Sequence, residues 1–398
     1  MSTTTEQMRA WRGPALFTYG FRPFFFGAAL WASLAMVLWI AMITGQIVLP
    51  SAFDPISWHA HEFLFGYLGA VMAGFLLTAV PNWTGRLPIV GWPLAGLFAL
   101  WVAGRIAVAA SQWLSPLAVA LVDLALPVAL SLAIAREIVA GRNWRNLGVL
   151  ALLGLFGLGN AMFHCEAARH EFAAQGEGLR LGVGAAIMLI ALIGGRIVPS
   201  FTRNWLMRNA PGRMPSLPEM PFDKVALIVL LIGVIGWIVA PAHNATALLL
   251  GLAGILHIVR LGRWAGDRTL AEPLVWVLHL GYAFVPLGAL ALAMAQFVPV
   301  IGVNATGQHL WMAGAIGMMT LAVMTRATRG HTGRELAADR MTTALYLALL
   351  CAVLLRAASG FAPEHGTALH ALAGLAWIAA FGGFCLGYGR MLLLRRAG

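Results

Sequence analysis

Long apolar runs follow one another along almost the whole chain, each about 20 residues, separated by short segments marked by Pro, Gly and Arg. In lipid every backbone N–H and C=O must be satisfied inside the segment or by a closed barrel, so only helices and barrels can span a bilayer. These runs are twice the length of a barrel strand and lack its alternation. With 60% of residues apolar and only 10% charged, no water-soluble surface can be assembled. Soluble domains, disordered chains, secreted disulfide scaffolds and soluble nucleic-acid binders are therefore excluded. The fold class is an all-α polytopic membrane protein, a single transmembrane domain over residues 1–398.

Hydropathy and punctuation predict twelve spans: Phe24 to Thr44, Ala60 to Val80, Pro93 to Ala110, Ser115 to Ala135, Leu147 to Cys165, Leu179 to Val198, Lys224 to Val239, Ala242 to Arg260, Pro273 to Phe297, Gln308 to Thr325, Met341 to Ala357 and Thr367 to Tyr388. The first follows Arg9, Arg12 and Arg22 like a signal peptide, but its apolar run is too long and no A-x-A site follows, so it stays as a helix. The net charge of +11 sorts by side. With the N-terminus in the cytoplasm, all but four of the 26 basic residues lie inward, the exceptions being Arg105, Arg169, Arg180 and Arg356. This asymmetry predicts an even number of spans with both termini cytoplasmic. It also removes the charge as an argument for nucleic acid.

The three cysteines, Cys165, Cys351 and Cys385, have no C-x-x-C spacing and read as small core residues. The histidines are more informative. His59 and His61 open the second span, His164 closes the fifth, His309 opens the tenth and His370 lies one turn inside the twelfth, all in the outer part of the membrane. His257 and His279 lie toward the cytoplasm, and His170, His243, His331 and His365 fall in loops. Ionisable groups inside spans are costly and mark function, so a cluster at one depth points to a metal or haem site. Asp54-Pro55 reads as an N-cap and first helical residue. His59 and His61 are then about 200° apart on one helix and cannot chelate one ion together. Glu62, beside them, is a candidate proton carrier.

The stretch from His61 to Arg86 overlays that from His309 to Arg334 without a gap, sharing the leading histidine, Gly66 and Gly69 with Gly314 and Gly317, Ala79 with Ala327, and the closing Thr-Gly-Arg. The sixth span fits the same frame, with Gly184, Arg196 and Val198-Pro199 in register and Leu179 at the histidine position. Helices two, six and ten are four apart, which predicts three four-helix units, roughly 20–140, 141–265 and 266–396. His61 and His309 would then face each other as the two axial ligands of a haem, with the glycines leaving room for the porphyrin.

Arg105 in the third span and Asp123 in the fourth lie at similar depth and read as a salt bridge, with a haem propionate as the alternative partner of Arg105. Arg356 is the other candidate for a propionate. Arg196 and Arg326 read as snorkelling anchors, and Tyr282 as packing or as a radical or proton donor. No Walker loop, dinucleotide fingerprint, H-E-x-x-H or G-x-S-x-G is present.

The strings WHAHEFLFGY, LTAVPNWTGR, GGRIVPSFTRNW, LHLGYAFVPLG and GHTGR together resemble the NnrS family of bacterial inner-membrane proteins over essentially the whole chain. That resemblance implies nitric oxide metabolism, denitrification or nitrosative stress, with haem, of b type, and copper as cofactors. By motif it points to His59, His61, His279, His309 and His331. The helix count and the histidines on helices two and ten also look like the catalytic subunit of haem-copper oxidases and nitric oxide reductases. The chain departs from that pattern at the copper centre, since spans six and seven carry no histidine. Copper would need His59, His164, His279 or His370. The expected function is binding, and reduction, of nitric oxide with an unknown electron donor. The rivals are a nitric oxide sensor or scavenger and a secondary transporter.

Overall fold

The computed structural model describes residues 11–85, 88–218, 220–298 and 302–395; Arg9, Arg86 and Arg396, placed inward above, lie outside the described residues. Among the described residues there is no strand, and twelve helices are long and apolar enough to cross a membrane. They are α1 (Phe21–Ile43), α2 (Pro55–Thr84), α3 (Trp92–Ala109), α4 (Pro116–Ala140), α5 (Trp144–Ala168), α6 (Glu177–Asn209), α7 (Pro221–Val239), α8 (Asn244–Arg268), α9 (Pro273–Phe297), α10 (Val303–His331), α11 (Arg340–Ala358) and α12 (Pro363–Leu393).

Their starts follow local chemistry. Asp54 accepts from the N–H groups of Ile56 and Ser57 ahead of α2, with Pro55 in the first position where no N–H is needed. Ser115 before Pro116 caps α4, and Asp339 caps α11. Gly85, at φ +68°, ends α2 in the left-handed conformation that glycine takes without a Cβ penalty.

Several helices exceed the hydropathic window. Helix α6 runs on to Asn209, and α10 begins at Val303 and ends at His331. His309 therefore lies within its helix rather than at its start, and His331 is helical rather than in a loop. Amphipathic last turns extend these helices where apolarity alone stops. The cysteines also depart from expectation: Cys165 and Cys351 are exposed and Cys385 is half-buried, on faces a bilayer would cover. Leu117, Leu121, Leu132 and Leu386 lie likewise on exposed faces.

Among the described residues three helices open into wider π turns, at Glu62–Leu68 in α2, Ile190–Gly194 in α6 and Leu310–Met318 in α10. Such turns shift every following side chain around the helix and are frequent at functional sites. In α2 and α10 the wide turn begins one residue after His61 and after His309, whereas in α6 it begins well below Leu179.

The chain forms two compact units: Met1–Gly182 with Ala327–Arg334 and Phe381–Gly398, and Val183–Arg326 with Glu335–Ala380. In the first, Gly74 of α2 admits Phe24 and Phe25 of α1, and Thr78 accepts from the Phe21 N–H, holding α1 by its N-terminus. In the second, Gly281 of α9 meets Met318 and Met319 of α10, and Gly288 makes room for Trp311, whose indole N–H donates to the Val285 carbonyl. Close approach through small residues is how helices pack where lipid offers no hydrophobic drive.

Candidate functional site

In the first unit, six polar side chains from α2, α3, α4 and α5 meet inside the span. His61 and Glu62 come from α2, Arg105 from α3, Asp123 from α4, and Asn160 and His164 from α5; all are buried. Arg105 bridges the two acids: Nη1 donates to Glu62 Oε1 at 2.6 Å and Nη2 to Asp123 Oδ1. Trp31 Nε1 donates to the other Glu62 oxygen at 2.7 Å. The Asn160 amide and His164 Nε2 both donate to Asp123 Oδ2, at 2.8 and 3.1 Å.

These partners fix the state of His61. A carboxylate only accepts, so Asn160 turns its NH2 to Asp123 and its carbonyl oxygen to His61, 3.0 Å from Nε2. Asp123 Oδ2 stands 3.2 Å from the same nitrogen. Nδ1 faces Glu62 Oε1 at 3.0 Å, an oxygen already accepting from Arg105. Both ring nitrogens thus face acceptors, and the ring carries a proton on each. His61 and Arg105 then balance Glu62 and Asp123, which is how buried charges survive in a low-dielectric interior.

Local backbone makes this possible. The π turn starting at Glu62 sets the direction of that carboxylate, and the Gly66 carbonyl within the turn accepts from Trp101 Nε1 at 2.9 Å. A Cβ at Gly66 would fall on the Arg105 guanidinium. We expect Gly66→Ala to displace Arg105 and cost about 1–3 kcal/mol, seen as a lower unfolding temperature in detergent; an unchanged midpoint would mean that the guanidinium has another seat.

Beside the cluster lies a cavity of about 20 Å³, lined by apolar side chains including Phe65, Met72, Leu126 and Phe156, with Arg105, Asp123 and Asn160 at its polar end. It holds one water-sized molecule. Arg105 Nε–H is buried with no acceptor. A Cβ at Gly69, also on the cavity wall, would meet only Phe156, at 3.9 Å.

The remaining expected site residues are spread out. His59 points away from His61, as two steps on a helix require, and stacks on Trp39 with centroids 4.2 Å apart. His331 stacks on Phe21 at 5.3 Å. In the second unit, His309 Nδ1 donates to the Ala305 carbonyl at 2.8 Å, and His279 Nε2 meets Thr202 Oγ1 at 2.8 Å. Arg356 and His370 meet on one hydroxyl, that of Ser359, at 2.9 and 3.0 Å. Arg326 lies over the Phe201 ring at 4.0 Å. One member of the cluster, Asn160, and the Trp31 indole that donates from α1 to Glu62, were not expected; an amide in an apolar run four residues before His164 was the available signal.

As arranged here, His61 does not fit an axial haem ligand. Neither ring nitrogen presents a lone pair, and the adjoining cavity is far smaller than a porphyrin. Gly66, expected to leave room for the ring, is backed by Arg105, and Gly314 by Phe284. For a metal ion, His61, Asp123 and His164 offer one atom each, all within 4.8 Å of one another. Two imidazoles and a carboxylate form a donor set that transition metals accept. Here, however, those atoms are already bonded through protons, and a cation among them would sit beside Arg105.

A multi-pass membrane protein whose interior holds a charge-balanced ionisable cluster beside a water-sized cavity is the class these features define. The sequence matches the NnrS protein family over residues 15–396, and the chain belongs to that family. No curated protein matches it.

Proposed function

We propose that this NnrS-family chain acts in nitric oxide metabolism at the bacterial inner membrane, with both termini cytoplasmic, and that it binds the gas in the cavity beside Arg105. The observation that carries this reading is an apolar cavity for one small molecule with Arg105 in its wall, a residue whose buried Nε–H has no acceptor. Nitric oxide is small and uncharged, so it reaches such a place through lipid without a polar path. Its oxygen is a weak acceptor suited to the Arg105 Nε–H. Reduction would consume protons along with electrons from a one-electron donor outside the chain, and His61 and His164 are the imidazoles that meet Asp123, a residue of the cavity wall.

Gly69→Val tests the cavity. The β-carbon fits, and the added methyls enter the space where the gas would lie. The substitution should leave the unfolding temperature equal or higher, since glycine inside a helix is unfavourable, while removing nitric oxide uptake by proteoliposomes under anaerobic conditions. Equal uptake by Gly69→Val and the parent would place the gas elsewhere. Consumption that continues only with an artificial electron donor marks an enzyme; saturable uptake without turnover marks a scavenger or sensor; neither, with a solute flux instead, marks a transporter.

Haem and copper, which the family resemblance implies, are to be measured by the optical spectrum and metal content of protein expressed with both supplied. His61→Ala should keep any Soret absorbance, because the ring is engaged within the cluster. Loss of that absorbance in a folded His61→Ala protein would mean that His61 leaves Glu62 and Asn160 to ligate haem.

A further inference from the structure

The second unit holds its own buried polar cluster, on α7, α8 and α9, which the proposed function does not use. Arg260 Nε donates to Asp223 Oδ1 at 2.8 Å, and Nη1 donates to the Ala191 carbonyl at 2.9 Å and to the Tyr282 hydroxyl oxygen at 2.6 Å. Tyr282 is fully buried. Because its oxygen accepts from Arg260, its own proton is directed to the neighbouring acceptor, Nδ1 of His257, 2.8 Å away.

The other His257 nitrogen, Nε2, stands 3.2 Å from the Ala226 carbonyl, which can only accept, so Nε2 carries the ring proton and Nδ1 presents a lone pair to the phenol. The indole of Trp264 lies 4.5 Å from the Tyr282 ring, centroid to centroid. Asp223 balances the charge of Arg260. A buried phenol hydrogen-bonded to a neutral imidazole, with a second aromatic ring in contact, is an arrangement in which an electron and a proton can leave the phenol together by separate routes.

We propose that Tyr282 and His257 form a redox site, a tyrosine that gives one electron to a high-potential outer-sphere oxidant while its proton passes to His257. The phenolic O–H bond breaks and the electron leaves by way of Trp264. The proton forms a new N–H bond at His257 Nδ1, while Nε2–H stays on the Ala226 carbonyl. The product is a neutral phenoxyl radical, still bonded to Arg260, beside an imidazolium. The reverse transfer, one electron back from the reduced form of that oxidant, returns the proton to the oxygen. The imidazolium stands close to the Arg260 cation, which favours that return and keeps the site reversible.

The test oxidises the purified full chain with hexachloroiridate and reads the freeze-quenched sample by electron paramagnetic resonance. A phenoxyl signal is expected, lost in Tyr282→Phe and kept in Tyr346→Phe, whose equally buried hydroxyl meets that of Thr325 at 2.6 Å. His257→Asn, lacking the imidazole base, should slow radical formation by about a hundredfold, the low end of what a positioned base contributes. Should Tyr282→Phe fold poorly, Tyr282→3-fluorotyrosine keeps ring and hydroxyl, and fluorine hyperfine splitting must then appear. No phenoxyl signal in the parent, a signal unaffected by Tyr282→Phe, or an unsplit signal from the fluorinated protein would overturn the proposal.

Discussion

Arg105→Leu should destabilise the protein by about 3–5 kcal/mol, the cost of removing one partner from a buried ion pair. Glu62 and Asp123 would be left as two carboxylates in one apolar interior, and Trp31, Asn160 and the two histidines cannot supply the missing charge in place. The measurement is thermal or denaturant unfolding in detergent. The double substitution that exchanges Arg105 and Asp123 should not restore stability, because Arg105 also holds Glu62 at 2.6 Å; the new acid at position 105 would face that carboxylate. Replacing Glu62→Gln, Arg105→Met and Asp123→Asn together should recover most of the loss, since the His61 ring, no longer between two carboxylates, needs only one proton and no unpaired ion is left. Full recovery by the simple exchange would show that Glu62 contributes little.

The spans were legible because backbone satisfaction in lipid leaves only one economical reading of long apolar runs, and the pairing of Arg105 with Asp123 was legible from depth alone. Glu62 and Asn160 were harder. The direction of Glu62 depends on a π turn, and nothing in EFLFGYL separates a wide turn from an ordinary helical one. Asn160 lies one turn before His164, but it acquires its meaning only when α2, α4 and α5 bring it to His61 and Asp123. The second cluster was obscured for a different reason. Arg260 was counted among inward basic residues, where charge asymmetry explains an arginine without any partner, and so its contact with Asp223 was not sought. The spacing of His257 and Arg260, three apart on one helix, was the signal that both face the same neighbours.

Arg260→Met should be as damaging in the second unit, about 3–5 kcal/mol by the same reasoning. Its loss leaves Asp223 buried without its cation and removes the donors to the Ala191 carbonyl and the Tyr282 oxygen. Asp223 also accepts from the Met220 N–H at the start of α7, so a disturbed carboxylate loosens that helix end as well. Lysine is no substitute: one ammonium on a flexible stem cannot reach a carboxylate, a carbonyl and a phenol lying in three directions. Gly195→Ala offers a milder version of the same injury, because a Cβ there would fall on the guanidinium. The expected order of destabilisation is Arg260→Met, then Arg260→Lys, then Gly195→Ala. Pairing Arg260→Met with Asp223→Leu should restore part of the loss, as no charge is then left alone. If Arg260→Lys unfolds at the same temperature as the parent, charge alone holds this cluster, and the fork of donors that aims the Tyr282 proton at His257 is not what stabilises it.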